Sequence, residues 1–395
     1  MERRHRHMET LTHIDQALAT VVADMDAFGA TYPHHHTVDG VYPPKSAEHG
    51  EPVGGNTSWT TGFWPGVLWL AYDITADEKF HEAALAHVAS FADRADRDVD
   101  MDHHDMGFLY TLSCTTAWRT DRDERARSAA LIAAEHMMDR VLEPAGIIQA
   151  WGDLSDPEQQ GRTIIDSLMN LPLLRWATTT TGDSRFADAA DRHARQLADH
   201  IVRADGSTFH TFSWDINTGE PLRGRTDQGF ADDSCWARGQ AWGVYGFALS
   251  HLANGDEQFL DAARRCADYF LAHLPADNVP YWDLGFGDGS GHLRDSSAGA
   301  IAVCGLYELA RATGEDQYRQ GADEILDALA ASCTPEPGSD ANCLLQHGVY
   351  HWHAGIGLDE GNLWGDYYYL EALAQRANPG WESFWRSSNK DVAAS

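Results

Sequence analysis

Lysine is almost absent from this chain, which contains only Lys45, Lys79 and Lys390. Acidic residues outnumber basic ones by 60 to 29, so the formal net charge is -31 at neutral pH. Such a surface repels polyanions, and we therefore expect neither a nucleic-acid partner nor a membrane partner. Two explanations of the composition stay open here: a salt-rich cytoplasm that screens the charge, and a genome that favours arginine over lysine.

Long hydrophobic runs are also missing. No segment approaches the length of a membrane span, and the basic start of the chain is not followed by the apolar core of a secretion signal. Cys333 and Cys343 are spaced to bridge a loop, but free thiols in a reducing compartment are the favoured interpretation. The other four cysteines lie in apolar helical stretches, at Cys114, Cys235, Cys266 and Cys304. We expect a soluble, cytoplasmic protein.

No linker rich in proline, glycine and serine divides the 395 residues. The nearest candidate, residues 335–342, is short enough to be a surface loop. A chain of this length with 43% hydrophobic residues is able to bury one large core. We therefore predict a flexible N-terminal extension at residues 1–14, a single domain at 15–377 and a C-terminal tail at 378–395.

One unit of organisation recurs along the chain. A loop rich in Gly, Asp, His or Trp leads into a small and apolar helix, and a charged amphipathic helix follows. The amphipathic type is clear in the stripe Phe186, Ala190, Ala194, Leu197 and Ile201. The apolar type begins near residues 61, 105, 164, 236, 295 and 363. Because helices that are apolar all round must be buried, we predict an all-α (α/α)6 barrel of six inner and six outer helices, with minor strands in loops.

In such a barrel the loops that precede the inner helices all open on one face, which we call the mouth. Each inner helix points its positive N-terminal end there. Aromatic rings stack on sugar C–H surfaces, and polar side chains bind hydroxyl or carboxylate groups, so a carbohydrate site is predicted. Core packing is the alternative for each tryptophan. The mouth residues are Trp59, Phe63, Trp64, His103, His104, Asp105, Trp151, Asp166, His210, Gln228, Arg238, Gln240, Trp242, Trp364, Asp366 and Tyr367.

Asp105 and Asp166 are the candidate catalytic groups, because each stands at the head of a nearly uncharged segment. Burial against apolar neighbours shifts a carboxyl pKa, which is how acid and base groups are made. The apolar setting of Asp166 raises a pKa, whereas a helix N-terminus lowers that of Asp105. Both residues would equally suit helix N-caps, and Pro172 leaves the helix start near Asp166 open.

Other motifs are weaker. The histidines at 34–36 and 103–104 lack the helical spacing or cysteine partners of a metal site, so we predict neither a metal nor a cofactor. The glycine-rich segment 285–291 lacks the Lys-Ser/Thr ending of a phosphate loop and is predicted to be a turn. The absence of Gly-x-Ser-x-Gly argues against an α/β-hydrolase.

Five motifs in order resemble the unsaturated glucuronyl hydrolases, glycoside hydrolase family 88, at residues 56–66, 103–110, 164–174, 232–243 and 361–367. The resemblance implies a barrel that acts on unsaturated oligosaccharides released by polysaccharide lyases, with Asp166 as general acid and base and Asp105 as the second essential carboxylate. It also implies no cofactor, and it leaves open whether the protein is a monomer or a dimer. The residues placed around the sugar and its carboxylate are Trp59, Trp151, His210, Gln228, Arg238 and Trp242.

Three alternatives remain at the level of the sequence. An unsaturated rhamnogalacturonyl hydrolase would use the same chemistry on pectin fragments. A sugar 2-epimerase would need paired histidine bases, for which His103-His104 and His351/His353 are the candidates. A binding module would hold the sugar without turnover. Because residues 346–355 contain no Ser/Lys cluster to hold a sulfate, the preference for sulfated substrates is also open.

Overall fold

The computed structural model describes residues 2–154, 156, 159, 161–388 and 391–392. Helices dominate and alternate between an inner and an outer ring along the chain. The outer helices are α1 (Glu2–Phe28), α3 (Glu78–Asp96), α6 (Glu124–Asp139), α8 (Arg185–His200), α10 (Glu257–Ala272) and α12 (Asp316–Ser332). The inner helices are α2 (Phe63–Thr75), α4 (Met106–Tyr110) running through a π-helix (Thr111–Thr115) into α5 (Thr116–Asp121), α7 (Leu171–Thr181), α9 (Ala237–Asn254), α11 (Ser296–Thr313) and α13 (Leu363–Ala377).

The inner ring closes on itself, because α13 packs against both α11 and α2. The predicted (α/α)6 barrel is therefore confirmed. Inner helices such as α9 and α11 are buried on nearly every side, whereas the predicted stripe of α8 buries Phe186, Ala190, Ala194 and Leu197 against the inner ring. No described helix is long and apolar enough to cross a membrane.

The connections differ in length at the two ends of the barrel. The first five inner helices each pass to the next outer helix through a tight turn, and α7, α9 and α11 end at Gly182, Gly255 and Gly314 in the left-handed conformation. Asp77, Asp123 and Asp256 then cap the outer helices that follow α2, α5 and α9. Long segments run from each outer helix to the next inner helix at the opposite end, so the mouth is built from these segments.

Short antiparallel strands shape the mouth, as the sequence predicted for minor strands in loops. A 3-10 helix (Ile165–Met169) continues from the second sheet directly into α7. The sheets pair β1 (Val141–Leu142) with β2 (Ile147–Ile148), β3 (Arg162–Ile164) with β4 (Thr211–Trp214) and β5 (Pro221–Arg225), and β6 (Gly348–His351) with β7 (Ile356–Glu360).

Both ends of the chain differ from the segments expected outside the domain. Helix α1 starts at Glu2, and within the predicted extension Thr10 and Ile14 are buried while Arg6 pairs with Asp323 of α12. Trp385, in the predicted tail, is buried and donates its Nε1–H to Glu371 of α13. Residues 2–14 therefore form the first half of the outer helix α1. Met1 and residues 389–390 and 393–395 lie outside the described residues.

Candidate active site

The two predicted aspartates face each other at the mouth. Asp105 occupies the N-cap position of α4, but it directs its carboxylate oxygens toward neighbouring histidines. Asp166 lies in the 3-10 helix that precedes α7. His104 Nε2 is 3.2 Å from Asp105 Oδ1 and 3.6 Å from Asp166 Oδ1, so one imidazole serves both carboxyl groups. The carboxyl side chains keep 18% and 19% of their surface exposed, which leaves one edge of each open to a ligand.

A close backbone contact brings the two aspartates together. A Cβ atom on Gly107 would lie 2.2 Å from Asn170 Cα, so only glycine allows the start of α4 to approach the end of the 3-10 helix. The Asn170 side chain accepts a hydrogen bond from the Phe108 amide at 2.8 Å and donates to Asp105 Oδ1 at 3.4 Å. Asn170 therefore ties the two segments that carry the catalytic candidates.

The surroundings separate the pKa values of the pair. Burial raises the pKa of Asp166 to about 7, and the charge of Asp105 adds to the rise, although His104 and Arg238 oppose it. Burial would also raise the pKa of Asp105, but the charge of His104 and the hydrogen bonds from His103 and His104 together outweigh burial and hold that pKa well below its usual range. This is the divided pattern of a carboxyl group with a raised pKa beside one with a lowered pKa.

One wall of the site is aromatic. Trp59 stacks on Trp364 with ring centroids 5.0 Å apart, and its Nε1–H donates to the Tyr350 hydroxyl at 3.1 Å. Tyr350 also packs on Trp364 with centroids 5.0 Å apart. Because Trp364 is fully buried, it fixes the orientation of the two rings that face the site. A fixed flat surface of this kind is suited to the C–H face of a sugar.

A second part of the site combines rings with polar groups. The guanidinium carbon of Arg162 lies 4.9 Å from the ring centre of Trp151. His210 lies behind this surface: its Nδ1 accepts from the backbone amides of Asp227 and Gln228, and its ring packs 4.4 Å from that of Trp236. His210 therefore shapes the loop that carries Gln228.

Both terminal nitrogens of Arg238 donate hydrogen bonds to other groups of the protein. Its NH1 donates to Asp295 Oδ2 at 3.0 Å and to the Val349 carbonyl at 2.6 Å. Its NH2 donates to Gln228 Oε1 and to the Tyr350 carbonyl, each at 2.8 Å. The guanidinium thus joins α9 to β6 and to the Gln228 loop, and its positive charge acts on Asp166.

These residues enclose a cavity of about 160 Å³. Seven of the eight predicted site residues line it, and His210 supports it from behind. Four lining residues are not among those eight, namely His104, Ile164, Trp236 and Tyr350. His104 adjoins Asp105, and Trp236 directly precedes α9, so their sequence positions indicate a place at the mouth. Tyr350 lies in a strand, where no sequence pattern indicates such a place. The lining residues are Trp59, His104, Asp105, Trp151, Ile164, Asp166, Gln228, Trp236, Arg238, Trp242 and Tyr350.

Several other residues expected at the mouth serve the fold instead. Gln240 donates to the carbonyls of Gly206 and Cys266, and Asp366 is buried where it accepts from the Tyr42 hydroxyl. The histidines at 34–36, for which neither a metal site nor a place at the mouth was predicted, meet one another edge to face, and His35 and His36 pack against Tyr350. Among the described residues, His104, Asp105 and Asp166 are close enough to surround one ion, but their mutual ion pairs account for the arrangement, and we interpret them as an acid–base group.

An (α/α)6 barrel with a buried aspartate pair under an aromatic wall is the architecture of a carbohydrate-active enzyme. The chain belongs to Glycosyl Hydrolase Family 88, whose model matches residues 35–368. The unsaturated chondroitin disaccharide hydrolase of Streptococcus pneumoniae is 44% identical over 377 residues, which cover 94% of this chain and 92% of the relative.

Solved structures agree with this assignment. The unsaturated glucuronyl hydrolase of Streptococcus agalactiae superimposes with a TM-score of 0.90 at 43% identity, covering 96% of this chain and 94% of that one. A mutant of the same enzyme, complexed with dGlcA-GalNAc6S, superimposes with a TM-score of 0.83 at 40% identity, with the same coverage of the two chains. The chain is thus a glycoside hydrolase, and the comparisons favour the glucuronyl hydrolase interpretation over the epimerase and rhamnogalacturonyl alternatives.

Proposed function

We propose that this enzyme releases the unsaturated uronic acid from the non-reducing end of lyase-generated oligosaccharides. The observation that carries the proposal is the aspartate pair, in which burial raises the pKa of Asp166 to about 7 beside an ionised Asp105. A carboxyl that is partly protonated near neutral pH is able both to give and to take a proton. Its relatives named for unsaturated chondroitin disaccharides suggest a glycosaminoglycan fragment as the substrate to test first.

The chemistry follows from the vinyl ether at C4 and C5 of such a sugar. Asp166 donates its proton to C4, which leaves an oxocarbenium ion at C5. Water adds to C5 and returns a proton to the Asp166 carboxylate, so the enzyme ends unchanged. The resulting hemiketal opens and expels the remaining saccharide. One acid–base residue therefore suffices, in contrast with the acid and nucleophile of retaining glycosidases.

The rest of the cavity is assigned to binding. Trp59, Trp151 and Trp242 offer apolar surface to the sugar ring, and Gln228 offers a polar side chain to its hydroxyl or carboxylate groups. Arg238 orients Gln228 and supplies positive charge near an anionic substrate. That local charge matters because a protein of net charge -31 repels anions at long range.

The test is the loss of near-ultraviolet absorbance that accompanies hydration of the double bond. Wild-type enzyme is assayed with unsaturated disaccharides from chondroitin, hyaluronan, heparin and pectin lyases. Asp166→Asn keeps the shape and loses the transferable proton, so kcat is expected to fall by at least ~10²-fold while the substrate still binds. Asp261→Asn, on the exposed face of α10, is the matched control and should retain wild-type kcat.

Two outcomes would contradict the proposal. Near-normal turnover by Asp166→Asn would remove this aspartate from the chemistry. Wild-type enzyme that binds the disaccharides and leaves their absorbance unchanged would indicate a binding module.

We also propose a cytoplasmic location. All six cysteines are free and buried in the structure, and free thiols are typical of a reducing compartment. Fractionation of cells of the source organism, with immunoblotting of each fraction for the protein, would test this location. Recovery of the protein outside the cytoplasmic fraction would overturn it.

A further inference from the structure

His104 occupies a position that the hydration mechanism does not use. Its Nε2 is nearer to Asp105 Oδ1, at 3.2 Å, than to Asp166 Oδ1, at 3.6 Å. This nitrogen therefore lies closer to Asp105 than to Asp166. Asn170 donates to that same Asp105 oxygen at 3.4 Å. Among the described residues, no donor bonds to Asp166 Oδ1, although this atom is buried.

The two carboxyl groups thus receive unequal support. A carboxylate that accepts hydrogen bonds from a cation is stabilised in its charged form, whereas a buried carboxylate without donors is favoured as the neutral acid. The asymmetry is geometric, because it depends on which oxygen the imidazole approaches. The position of His104 therefore distinguishes the two aspartates.

The ring of His104 is held firmly. Its side chain is only 2% exposed, and its backbone amide donates to the Ala150 carbonyl at 2.9 Å. Its other ring nitrogen, Nδ1, meets no partner among the described residues, so the ion-pair contacts of the ring to Asp105 and Asp166 run through Nε2. The remaining titratable or charged groups around the trio are His103, Arg140, His193, Arg238 and Tyr350.

We propose that His104 is a positioning residue that holds Asp105 ionised and so reserves the transferable proton for Asp166, which fixes the pH range of the enzyme. The inference rests on the proposed function, because it takes Asp166 as the proton donor. The titration behaviour of the ring agrees with it. Burial alone would lower the pKa of His104, but the charges of Asp105 and Asp166 outweigh burial and raise it above its ordinary value.

The test is the pH profile of kcat/KM, which reports groups of the free enzyme. His104→Gln keeps an N–H near the Nε2 position and removes the charge. Without that charge the pKa of Asp166 rises, so the alkaline limb should move up by about one pH unit. The pKa of Asp105 rises as well, so an acid limb should appear or move to higher pH.

His103→Asn is the matched control. His103 Nδ1 lies 3.3 Å from Asp105 Oδ2 and accepts a hydrogen bond from the Asp105 amide at 3.2 Å, but within the described part of the chain it makes no ion pair with Asp166. Its replacement is therefore expected to leave the alkaline limb within about 0.3 pH unit of wild type, which is small beside a direct charge effect. Circular dichroism and thermal unfolding check that each variant folds.

The outcomes separate the two proposals. An active His104→Gln enzyme with reduced kcat and unshifted limbs would overturn this inference alone, since a merely structural role lowers activity without moving the profile. Unfolding of both His104→Gln and His104→Asn at the assay temperature would also overturn it and assign His104 to the fold. Wild-type enzyme without turnover on any lyase product would overturn the proposed function, and this inference with it.

Discussion

The buried ion pair between Arg238 and Asp295 offers a quantitative test of the structure. Both side chains are almost completely buried, at 1% and 0% exposure. Arg238→Met keeps the length of the side chain, removes the charge and leaves the Asp295 carboxylate in the interior. Breaking a buried pair by removing one partner costs about 3–5 kcal/mol, far more than an exposed pair.

The structure sets the magnitude within that range. Asp295 keeps hydrogen bonds from the Ser297 amide at 3.2 Å and from the Ser297 hydroxyl at 2.6 Å, which reduce the loss of stability. The Val349 and Tyr350 carbonyls each lose a charged donor, which increases the loss of stability. We expect a loss of about 3–4 kcal/mol in the free energy of unfolding, since these two effects act in opposite directions.

Urea unfolding followed by tryptophan fluorescence measures this loss. The double variant Arg238→Met with Asp295→Asn removes the orphaned charge, so it should recover about 1–3 kcal/mol relative to Arg238→Met alone. The activity of the single variant should fall as well, because Gln228 loses its anchor. A cost below about 1 kcal/mol, or a double variant no more stable than the single one, would refute the buried ion pair.

Two further predictions concern the framework. Burial raises the pKa of Asp366 to about 7, above its value in the unfolded chain, so the folded protein loses stability as the pH rises from about 4 through 7. The stability of Asp366→Asn relative to wild type should therefore be greater at pH 8 than at pH 5 in thermal unfolding. An equal difference between the two proteins at both pH values would contradict the raised pKa. Gly107→Ala should cost about 1–3 kcal/mol, because its Cβ would overlap Asn170. Gly287→Ala, whose Cβ would meet nothing within 4 Å, is its control, and equal unfolding midpoints for the two variants would rule out the close contact.

The architecture was predictable because its signals are local. An apolar helix must be buried and a striped helix must pack on one side, so the alternation along the chain determined the two rings. The same local character showed Asp105 and Asp166 as carboxyl groups at the heads of apolar segments. The N-terminal helix escaped this reasoning because its first turns are strongly charged, and Arg6 is held by Asp323, a residue more than 300 positions away.

The sequence by itself therefore determined the helical barrel, the face that carries the site and the pair of acidic groups. Only the tertiary structure decided the division of roles around them. Whether His104 approaches one carboxylate or the other is a matter of a few tenths of an ångström. Likewise, Arg238 gained its partners at Asp295, Val349 and Tyr350 when distant segments met at the mouth. Periodicity specifies which side of a helix is buried, but hydrogen-bond partners depend on the closure of long loops, which no local pattern encodes.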